Sequence, residues 1–425
     1  MKINKPKIAI LTIRNTYNYG GVQASVKVAH AFAKQYFQPT VFFLGFGSDV
    51  AMQLRNGKFS STVKPISYFG MDCVEVGARW AFWEPGHYWF TRKAWRTALA
   101  DFDYVFVVSG TNIAAHPAYL LKKKYVMWIA SSYQGDRAER EKALRGPRAL
   151  LNRITRNLMA KLEKQILSKA AYTWAFSAYV EQDFKQLLSD DTDRKLSRCN
   201  YPVEAKQYDP VTDERENAII AVGRFSDPRK NVAMLLRVFR LLHAQDNTIK
   251  LYIVGMKPNP EWIFPFLEDP CFTHVSFMGQ ISSEDLHQLY QRCRLMLITS
   301  YQEGLGIVGL EAMQYGLPVV ATDCGGTADY VINGYTGYLV PINDDASMAK
   351  HAWQILSNHH HCYELSLNAR KLVAQQFSYA AAYARFKEGF VAAYPELAQH
   401  FEAIDKGAAD EHRGYRARIH SAHQP

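Results

Sequence analysis

Short apolar runs alternate with longer amphipathic stretches along most of this chain. Runs of about four to eight apolar residues are typical of buried strands, and apolar positions about three or four apart are typical of helices. Such runs predict strands at residues 7–13, 39–44, 103–108, 125–130, 171–176, 218–222, 250–254, 275–278, 295–298 and 319–322. Helical periodicity occurs between them, at residues 22–35, 231–244 and 284–292. Two successive strand–helix series predict an α/β fold class, with two doubly wound, Rossmann-like domains facing each other across a cleft.

The border between the two series lies in a polar stretch near residues 200–210. We therefore predict a first domain at residues 1–202 and a second domain at residues 203–377. Residues 404–425 are small, polar and charged, so we expect a flexible tail there.

The most informative stretch of the chain runs from Glu303 to Glu311, two carboxylates that enclose seven residues, three of them glycines. A predicted strand leads into it, and a helix is predicted to begin at about Gly306 and to end at Gly316-Leu-Pro318. Glycines at a strand-to-helix turn leave amide groups bare at a helix N-terminus, which is a preferred position for phosphate. Carboxylates on either side can accept hydrogen bonds from sugar hydroxyls. This pattern indicates a nucleotide-sugar site.

Two other loops can contribute to this site. Arg224 and Lys230 follow the strand at 218–222, where they could neutralise a diphosphate, although an Arg and a Lys in a loop are usually solvated. Gly20 and Gly21 follow the first strand. That pair is consistent either with a phosphate cradle or with a turn that needs a positive φ.

Charge is unevenly distributed along the chain. Residues 1–200 carry 30 Lys+Arg against 15 Asp+Glu, and residues 201–425 carry 20 against 25, so the net charges are +15 and −5. The basic first half predicts an anionic partner, either membrane lipid or an acidic acceptor. The basic helical stretch at 137–169 is consistent with a solvated helix or with an interfacial helix on anionic lipid. No recognised nucleic-acid-binding module occurs, so we expect no nucleic acid partner.

The cysteines and the lengths of the apolar runs indicate the cellular compartment. The six cysteines are scattered without a C-x-x-C pair, which is typical of a reducing environment. The apolar run near the N-terminus is too short for a signal peptide, and no run of about 18 apolar residues occurs. We therefore expect a cytoplasmic protein. Aromatic residues are dense at 78–95, where they could pack in a core, stack on sugars or contact a membrane.

Several glycine-rich motifs recur together with these charged residues, and together they resemble the family 4 retaining glycosyltransferases of GT-B architecture. The resemblance is strong over about 215–360 and weaker in the first domain. It is carried by Gly20-Gly21, Gly223-Arg224 with Lys230, Gly279-Gln-Ile281, Glu303-x7-Glu311, Ala312-Met-x-x-Gly316-x-Pro318, Gly325-Gly326 and the stretch Asn333 to Pro341.

The resemblance implies a nucleoside-diphosphate-sugar donor held by the second domain. Arg224 and Lys230 would bind its diphosphate, Glu303 the transferred sugar, Glu311 the ribose and Ile281 the base. Backbone amides would come from the loop formed by Gly304, Leu305, Gly306 and Ile307. Gly20 and Gly21 would let the first domain approach the phosphates. Helices at 378–403 would cross back to the first domain, which would be the acceptor side.

The first domain departs from the family pattern. Relatives often carry a histidine just after the strand that ends at Val108, where this chain has Ser109-Gly-Thr-Asn112. His116 is the candidate substitute. Two Asp-x-Asp pairs, Asp101/Asp103 and Asp191/Asp193, lie outside the cleft loops, so we expect no metal and no other cofactor.

The resemblance thus implies a retaining, metal-independent hexosyltransferase. Its acceptor would be a carbohydrate or a lipid-linked molecule, in cell-envelope polysaccharide or glycolipid assembly at the inner face of the cytoplasmic membrane. The alternative is a non-catalytic nucleotide-sugar-binding protein of the same fold.

Overall fold

The structure is a computed structural model that describes residues 4–14, 21–46, 61–68, 70–80, 83–137, 146–188, 195–204 and 215–407. Gly20, the second Asp-x-Asp pair at 191–193, the start of the basic stretch at 138–145 and the tail at 408–425 lie outside this range. Most of the stretch proposed as the domain border, 205–214, also lies outside it. The border at 202/203 therefore stays a prediction.

The first domain is built on an eight-stranded sheet of order β3-β4-β2-β1-β5-β6-β7-β8. Its pairings are parallel, apart from the antiparallel pair β3 and β4. The elements are β1 (Lys7–Arg14), α1 (Gly21–Tyr36), β2 (Gln38–Gly45), β3 (Val63–Tyr68), β4 (Met71–Gly77), α2 (Glu84–Trp89), α3 (Arg92–Ala98), β5 (Tyr104–Thr111), α4 (His116–Leu120), β6 (Val126–Ser131), α5 (133–137), α6 (Pro147–Lys169), β7 (Tyr172–Ala175), α7 (Ala178–Leu188) and β8 (Leu196–Arg198).

The second domain is built on a six-stranded parallel sheet of order β11-β10-β9-β12-β13-β14. Its elements are β9 (Ala218–Val222), α8 (Val232–His243), β10 (Lys250–Val254), α9 (Pro260–Ile263), β11 (Val275–Gly279), α10 (Ser283–Arg292), β12 (Leu295–Ile298), α11 (Ile307–Gln314), β13 (Val319–Thr322), β14 (Gly337–Val340), α12 (Asp345–Ser357) and α13 (His359–Gln376). Two doubly wound α/β units are thus confirmed. Strand order places β9 beside β12, so the loops after these two strands open at the same sheet edge.

The last helices pack on the first domain. They are α14 (Tyr379–Ala393) and α15 (397–407). Phe386 of α14 lies 5.4 Å from the rings of Phe106 and Trp174, and the Trp174 indole donates a hydrogen bond to the Arg385 carbonyl. Residues 404–407, which we assigned to the polar tail, are helical, and Asp405 accepts a hydrogen bond from Tyr36 of α1. The last two described helices, α14 and α15, therefore pack on the first domain.

The basic stretch contains one long helix, α6, which begins at Pro147. The apolar side chains of α6 differ in burial along the helix: Leu162 and Ile166 are buried, whereas Ile154 and Leu158 are exposed. No helix in the described part of the chain is both long enough and apolar enough to cross a membrane. Among the aromatic residues of this cluster that the structure describes, Tyr88 and Trp95 are core residues, and Trp80, Trp89 and Phe90 are exposed.

Candidate functional site

The loop between β12 and α11 forms the centre of the candidate site. Gly306 is the N-cap of α11 with a φ of 76°, a conformation that side-chain-bearing residues rarely adopt. The helix therefore begins at Ile307, one residue after the predicted start. The Tyr330 hydroxyl donates to the Gly306 carbonyl at 2.7 Å, and this hydrogen bond stabilises the turn. The first amides of α11 are thus held at the cleft, where they can donate to an anion.

A turn of two glycines supports this loop from the other side. The Glu303 amide donates to the Cys324 carbonyl, and the Gly326 amide donates to the Glu303 carbonyl at 2.9 Å. A β-carbon at Gly326 would lie 2.2 Å from the Gly304 carbonyl oxygen, so only glycine allows this approach. The Gly325-Gly326 motif therefore positions the Glu303 backbone.

Glu303 and Lys230 form the ion pair at the centre of the site. The Lys230 ammonium donates to Glu303 Oε1 at 2.5 Å, and the Ser300 hydroxyl donates to the same oxygen at 2.6 Å. Both charged side chains are largely shielded, with 16% and 14% of their surfaces exposed. Burial opposes ionisation of Glu303, but Lys230, Ser300 and the charge of Arg229 outweigh it and lower its pKa. Glu303 is therefore a carboxylate at neutral pH.

The loop after β9 carries both predicted cations, Lys230 and Arg224, which differ in solvent exposure. Lys230 runs along Gly223, where a β-carbon would lie 3.2 Å from the lysine Cε. Arg224 is more than half exposed, and its guanidinium lies 3.9 Å from the Asp227 carboxylate. Lys230 is thus fixed at the site, whereas Arg224 is more exposed and only loosely paired.

The first domain contacts this loop directly. A β-carbon at Gly21, the first residue of α1, would lie 3.2 Å from the Ile307 side chain. A β-carbon at Gly304 would lie 2.0 Å from the Ala130 carbonyl at the end of β6, and the Ser177 hydroxyl donates to the Gly304 carbonyl. The N-termini of α1 and α11 therefore lie close together across the cleft. Gly20, the other half of the predicted pair, is outside the described residues.

Glu311 lies on α11, about one turn beyond Ile307 and in different surroundings. Its side-chain hydrogen bond comes from the Tyr290 hydroxyl at 3.4 Å. Burial raises the pKa of Glu311 to about 7, because this single weak hydrogen bond only partly offsets the loss of solvent. Leu305 is buried beneath the loop, and Ile281, placed just after β11, is partly buried against the same core.

His116 is not brought to this cluster. It is 2% exposed within the first domain, and its ring lies 5.3 Å from the Tyr88 ring. Burial lowers its pKa to about 4, so the imidazole is neutral. The structure shows a packed histidine whose Nδ1 has no hydrogen-bond partner among the described residues.

Sequence reasoning missed Arg229. Its guanidinium is 11% exposed and donates to Asp227 in its own loop, to Gln302 before Glu303, and to Asp136 of the first domain at 2.8 Å. Burial opposes its charge, but Asp227 and Asp136 more than compensate and raise the pKa of Arg229. Its position directly before Lys230 is the signal that could have identified it.

Residues 203–372 match the family described as glycosyl transferases group 1. The chain is 29% identical over 165 residues to the N-acetyl-alpha-D-glucosaminyl L-malate synthase of Bacillus anthracis, covering 39% of this chain and 42% of that protein. It is 31% identical over 182 residues to the putative glycosyltransferase EpsD of Bacillus subtilis, covering 42% and 47%. The matches thus span less than half of these relatives.

Solved structures match nearly the whole chain at low identity. Sucrose-phosphate synthase from Thermosynechococcus elongatus superposes with a TM-score of 0.71 at 20% identity, covering 90% of this chain and 98% of that one. The Anabaena protein HepE, solved with UDP and glucose, superposes with a TM-score of 0.66 at 16% identity and the same coverage. Residues 203–372 therefore carry the sequence pattern of the group 1 glycosyl transferases, and the chain as a whole has the two-domain GT-B fold.

Proposed function

We propose that this protein is a glycosyltransferase that moves a sugar from a nucleoside-diphosphate-sugar to a carbohydrate or lipid-linked acceptor. The observation that carries the proposal is the Lys230–Glu303 pair, which lies where the N-termini of α1 and α11 approach each other. A cation and two helix N-termini suit a diphosphate, and a carboxylate beside them suits the hydroxyls of the attached sugar.

Donor binding would redistribute the charges of this cluster. The diphosphate attracts Lys230 away from Glu303, and the released carboxylate then accepts hydrogen bonds from the transferred sugar. Arg224 turns from the solvent to the same diphosphate. Lys230, Arg224 and the helix amides together stabilise the negative charge that develops on the leaving group. The proposal includes no metal ion and no cofactor other than the donor.

The proposed reaction retains the anomeric configuration. The bond from the sugar C1 to the diphosphate oxygen breaks, and the acceptor oxygen forms a new bond to C1 on the same face. The acceptor proton passes to an oxygen of the departing diphosphate. The protein orients both substrates and stabilises the charged leaving group, so this step needs no basic side chain such as His116.

The proposed setting is cell-envelope glycan assembly at the cytoplasmic face of the membrane. Relatives that match part of the chain include a capsular polysaccharide glycosyltransferase of Staphylococcus aureus and a lipopolysaccharide 1,2-N-acetylglucosaminetransferase of Salmonella typhimurium. The first half of the chain is strongly basic, and α6 exposes Leu150, Ile154 and Leu158 at helical spacing. These features support contact of α6 with an anionic lipid surface.

A donor screen tests the enzymatic proposal. The purified protein is incubated with UDP-, GDP- and ADP-sugars, and release of the nucleoside diphosphate is measured with and without EDTA. UDP-sugars come first, because HepE was solved with UDP and glucose. We expect release from one donor class, unchanged by EDTA, and an anomeric configuration retained in the product by NMR.

The control variant is Glu216→Gln. Glu216 forms a 2.7 Å ion pair with Arg292 just before β9, at the opposite edge of the sheet from Lys230. This change should leave turnover unaltered, whereas Glu303→Gln should remove most of it. A donor that binds but is never consumed would instead support the alternative, a nucleotide-sugar-binding protein without catalysis.

The membrane proposal is tested by sedimentation with vesicles of phosphatidylglycerol and phosphatidylcholine. Ile154→Ser with Leu158→Ser should reduce binding several-fold, and salt should weaken it. Leu367→Ser, which changes an exposed leucine of α13, is the matched control. Equal binding by both variants would remove α6 from the proposal.

A further inference from the structure

A short segment of the second domain, residues 324–330, packs against the loop between β12 and α11. We call it the support segment. The Glu303 amide donates to the Cys324 carbonyl, and the Gly326 amide donates to the Glu303 carbonyl. At the other end of the segment, the Tyr330 hydroxyl donates to the carbonyl of the α11 N-cap residue. The support segment therefore holds both ends of the loop that carries Glu303 and the first amides of α11.

Asp329 joins the support segment to the first domain. Both of its carboxylate oxygens accept the Ala178 amide, at 3.2 and 3.0 Å, and the Arg198 guanidinium lies 3.5 Å from Oδ2. The Asp329 side chain is 4% exposed, whereas that of Arg198 is 46% exposed. Arg198 ends β8, which lies beside β7 in the sheet, so both groups come from the same sheet edge. A carboxylate of the second domain is thus buried against two groups of the first.

The contact with Ala178 completes the N-terminus of α7. Ala178 is the first residue of that helix, so its amide has no acceptor within the helix. Asp329 supplies the acceptor, and the Ser177 hydroxyl, just before the helix, accepts the Val180 amide at 3.2 Å. The dipole of α7 also favours a carboxylate at this end. A residue of the second domain therefore acts as a cap for a helix of the first.

The residues on either side of Ala178 also contact the second domain. The Ser177 hydroxyl donates to the Gly304 carbonyl in the loop after β12. Gly325 has a φ of 112°, and a β-carbon there would lie 3.0 Å from the Tyr179 ring. Three successive residues at the start of α7 thus meet the support segment or the loop that it holds.

We propose that Asp329 is a positioning residue of the candidate donor site. By binding the N-terminus of α7, it holds the support segment and the loop of Glu303 against the first domain before a donor binds. Without Asp329, a smaller fraction of the molecules has this closed arrangement, and the apparent donor affinity falls in proportion to that fraction. The effect on a donor rests on the proposed function, whereas the closed arrangement of the ligand-free protein does not.

The physical reason lies in the Ala178 amide. When the cleft opens, water can hydrate this amide, so replacing Asp329 by alanine leaves it unsatisfied only in the closed arrangement. The substitution therefore acts on the equilibrium between open and closed arrangements more than on the folding of either domain. Burial raises the pKa of Asp329, and the Ala178 amide and Arg198 oppose that rise by favouring the ionised form.

Small-angle scattering tests the closed arrangement without any ligand. Asp329→Ala should increase the radius of gyration of the ligand-free protein, and Asp329→Asn, which keeps one acceptor oxygen, should increase it less. Asp269→Ala is the matched control. Asp269 accepts the Cys271 amide at 3.1 Å and lies 3.9 Å from the half-exposed Arg240, but these three residues all belong to the second domain. Thermal unfolding verifies that each variant is folded. An unchanged radius of gyration in Asp329→Ala would overturn the proposal.

Calorimetry with UDP-, GDP- and ADP-glucose measures the effect on the donor site. Asp329→Ala should weaken binding of the donor that the wild-type protein binds on the order of tenfold, and Asp269→Ala should not change it. A saturating donor should restore the wild-type radius of gyration, which it would not do in a misfolded variant. Wild-type protein that binds none of these donors would contradict the proposed function and leave the scattering result intact.

A double-mutant cycle tests whether the contact across the cleft carries the effect. Arg198→Gln alone should weaken donor binding less than Asp329→Ala does. Once Asp329 is replaced by alanine, the Arg198 change should have no further effect, because the two residues act through one contact. Fully additive losses of donor affinity would overturn the assigned role of Asp329.

Discussion

Glu303 and Glu311 begin and end one motif, yet their surroundings differ sharply. Glu303 accepts hydrogen bonds from Lys230 and Ser300 at 2.5 and 2.6 Å, and its pKa is lowered despite burial. Glu311 has the Tyr290 hydroxyl at 3.4 Å, and burial raises its pKa to about 7. The same residue type, eight positions apart, is thus a stable carboxylate at one position and half-protonated near neutral pH at the other.

The difference comes from neighbouring elements rather than from the motif. Lys230 reaches Glu303 from the loop after β9, which lies beside β12 in the sheet. Glu311 faces α10, which provides Tyr290 and no cation at hydrogen-bond distance. We infer that Glu303 is charged before the donor binds, whereas Glu311 becomes charged as ribose hydroxyls reach it.

The largest expected effect on turnover follows from removing Lys230, the cation that makes the surroundings of Glu303 differ from those of Glu311. Lys230→Ala should lower turnover by about a hundredfold to a thousandfold, as loss of one transition-state charge stabiliser does. It should also raise the pKa of Glu303, since burial would then act with less opposition. Steady-state release of the nucleoside diphosphate measures the first effect, and the pH profile of turnover measures the second.

Lys387→Ala is the control for this change, because Lys387 forms a 2.5 Å ion pair with Asp405 on the opposite side of the first domain. An equal loss of activity in both variants would show that the Lys230 effect is not specific to the site.

Substitutions of Glu303 and Glu311 should have smaller effects, which distinguish the two carboxylates in steady-state kinetics. Glu311→Gln should weaken donor binding by about tenfold, which corresponds to about 1.4 kcal/mol, and raise KM more than it lowers kcat. Glu303→Gln should act mainly on kcat, because its proposed contact is with the transferred sugar. The two variants are compared with the same donor at the same pH. If both changed kcat and KM in the same proportion, the distinction between the two carboxylates would be lost.

The raised pKa of Glu311 predicts a pH dependence of donor binding. Below about pH 7 its carboxyl group is protonated, and above that value it is charged. In the proposed complex the charged form would accept the ribose hydrogen bonds. Binding therefore favours the ionised form, so affinity should rise several-fold from pH 6 to pH 8, with release of a proton on binding. Calorimetry in buffers of different ionisation enthalpy measures both quantities.

An intact nucleotide-sugar is the right ligand for this experiment, because its diphosphate does not titrate in this range. Glu311→Gln is the matched variant, and its affinity should be independent of pH. A pH dependence that persists in that variant would assign the titration to another group.

The sequence predicted most strands and helices of the second domain well. The strand at 218–222 was predicted with its observed bounds, and the helix after Gly306 begins one residue later than predicted. These elements are continuous in sequence, and glycines at fixed backbone positions mark their ends. The motif residues therefore reveal the local structure, and the ligand chemistry that they indicate stays a prediction.

The first domain was less predictable, for physical reasons. The β3–β4 pair was missed because β3 is an exposed edge strand with Pro65 in its middle, so its apolar pattern is weak. His116 follows a strand at the expected edge, but packing against Tyr88 turns it inward. Such packing joins residues far apart in the chain, which a pattern of neighbours does not reveal.

Asp136→Asn should have the smallest effect on donor binding, because Asp136 contacts the residues around Glu303 through Arg229. The ion pair spans the two domains, and the Asp136 side chain is about one-fifth exposed. Asp136→Asn should cost about 1 kcal/mol or less in cleft closure, since Arg229 keeps its pair with Asp227. Donor affinity should fall two- to fivefold, and small-angle scattering should show a more open ligand-free protein. The pH dependence assigned to Glu311 should not change. If it did, the two carboxylates would be coupled through the cleft, and their different surroundings would not act independently.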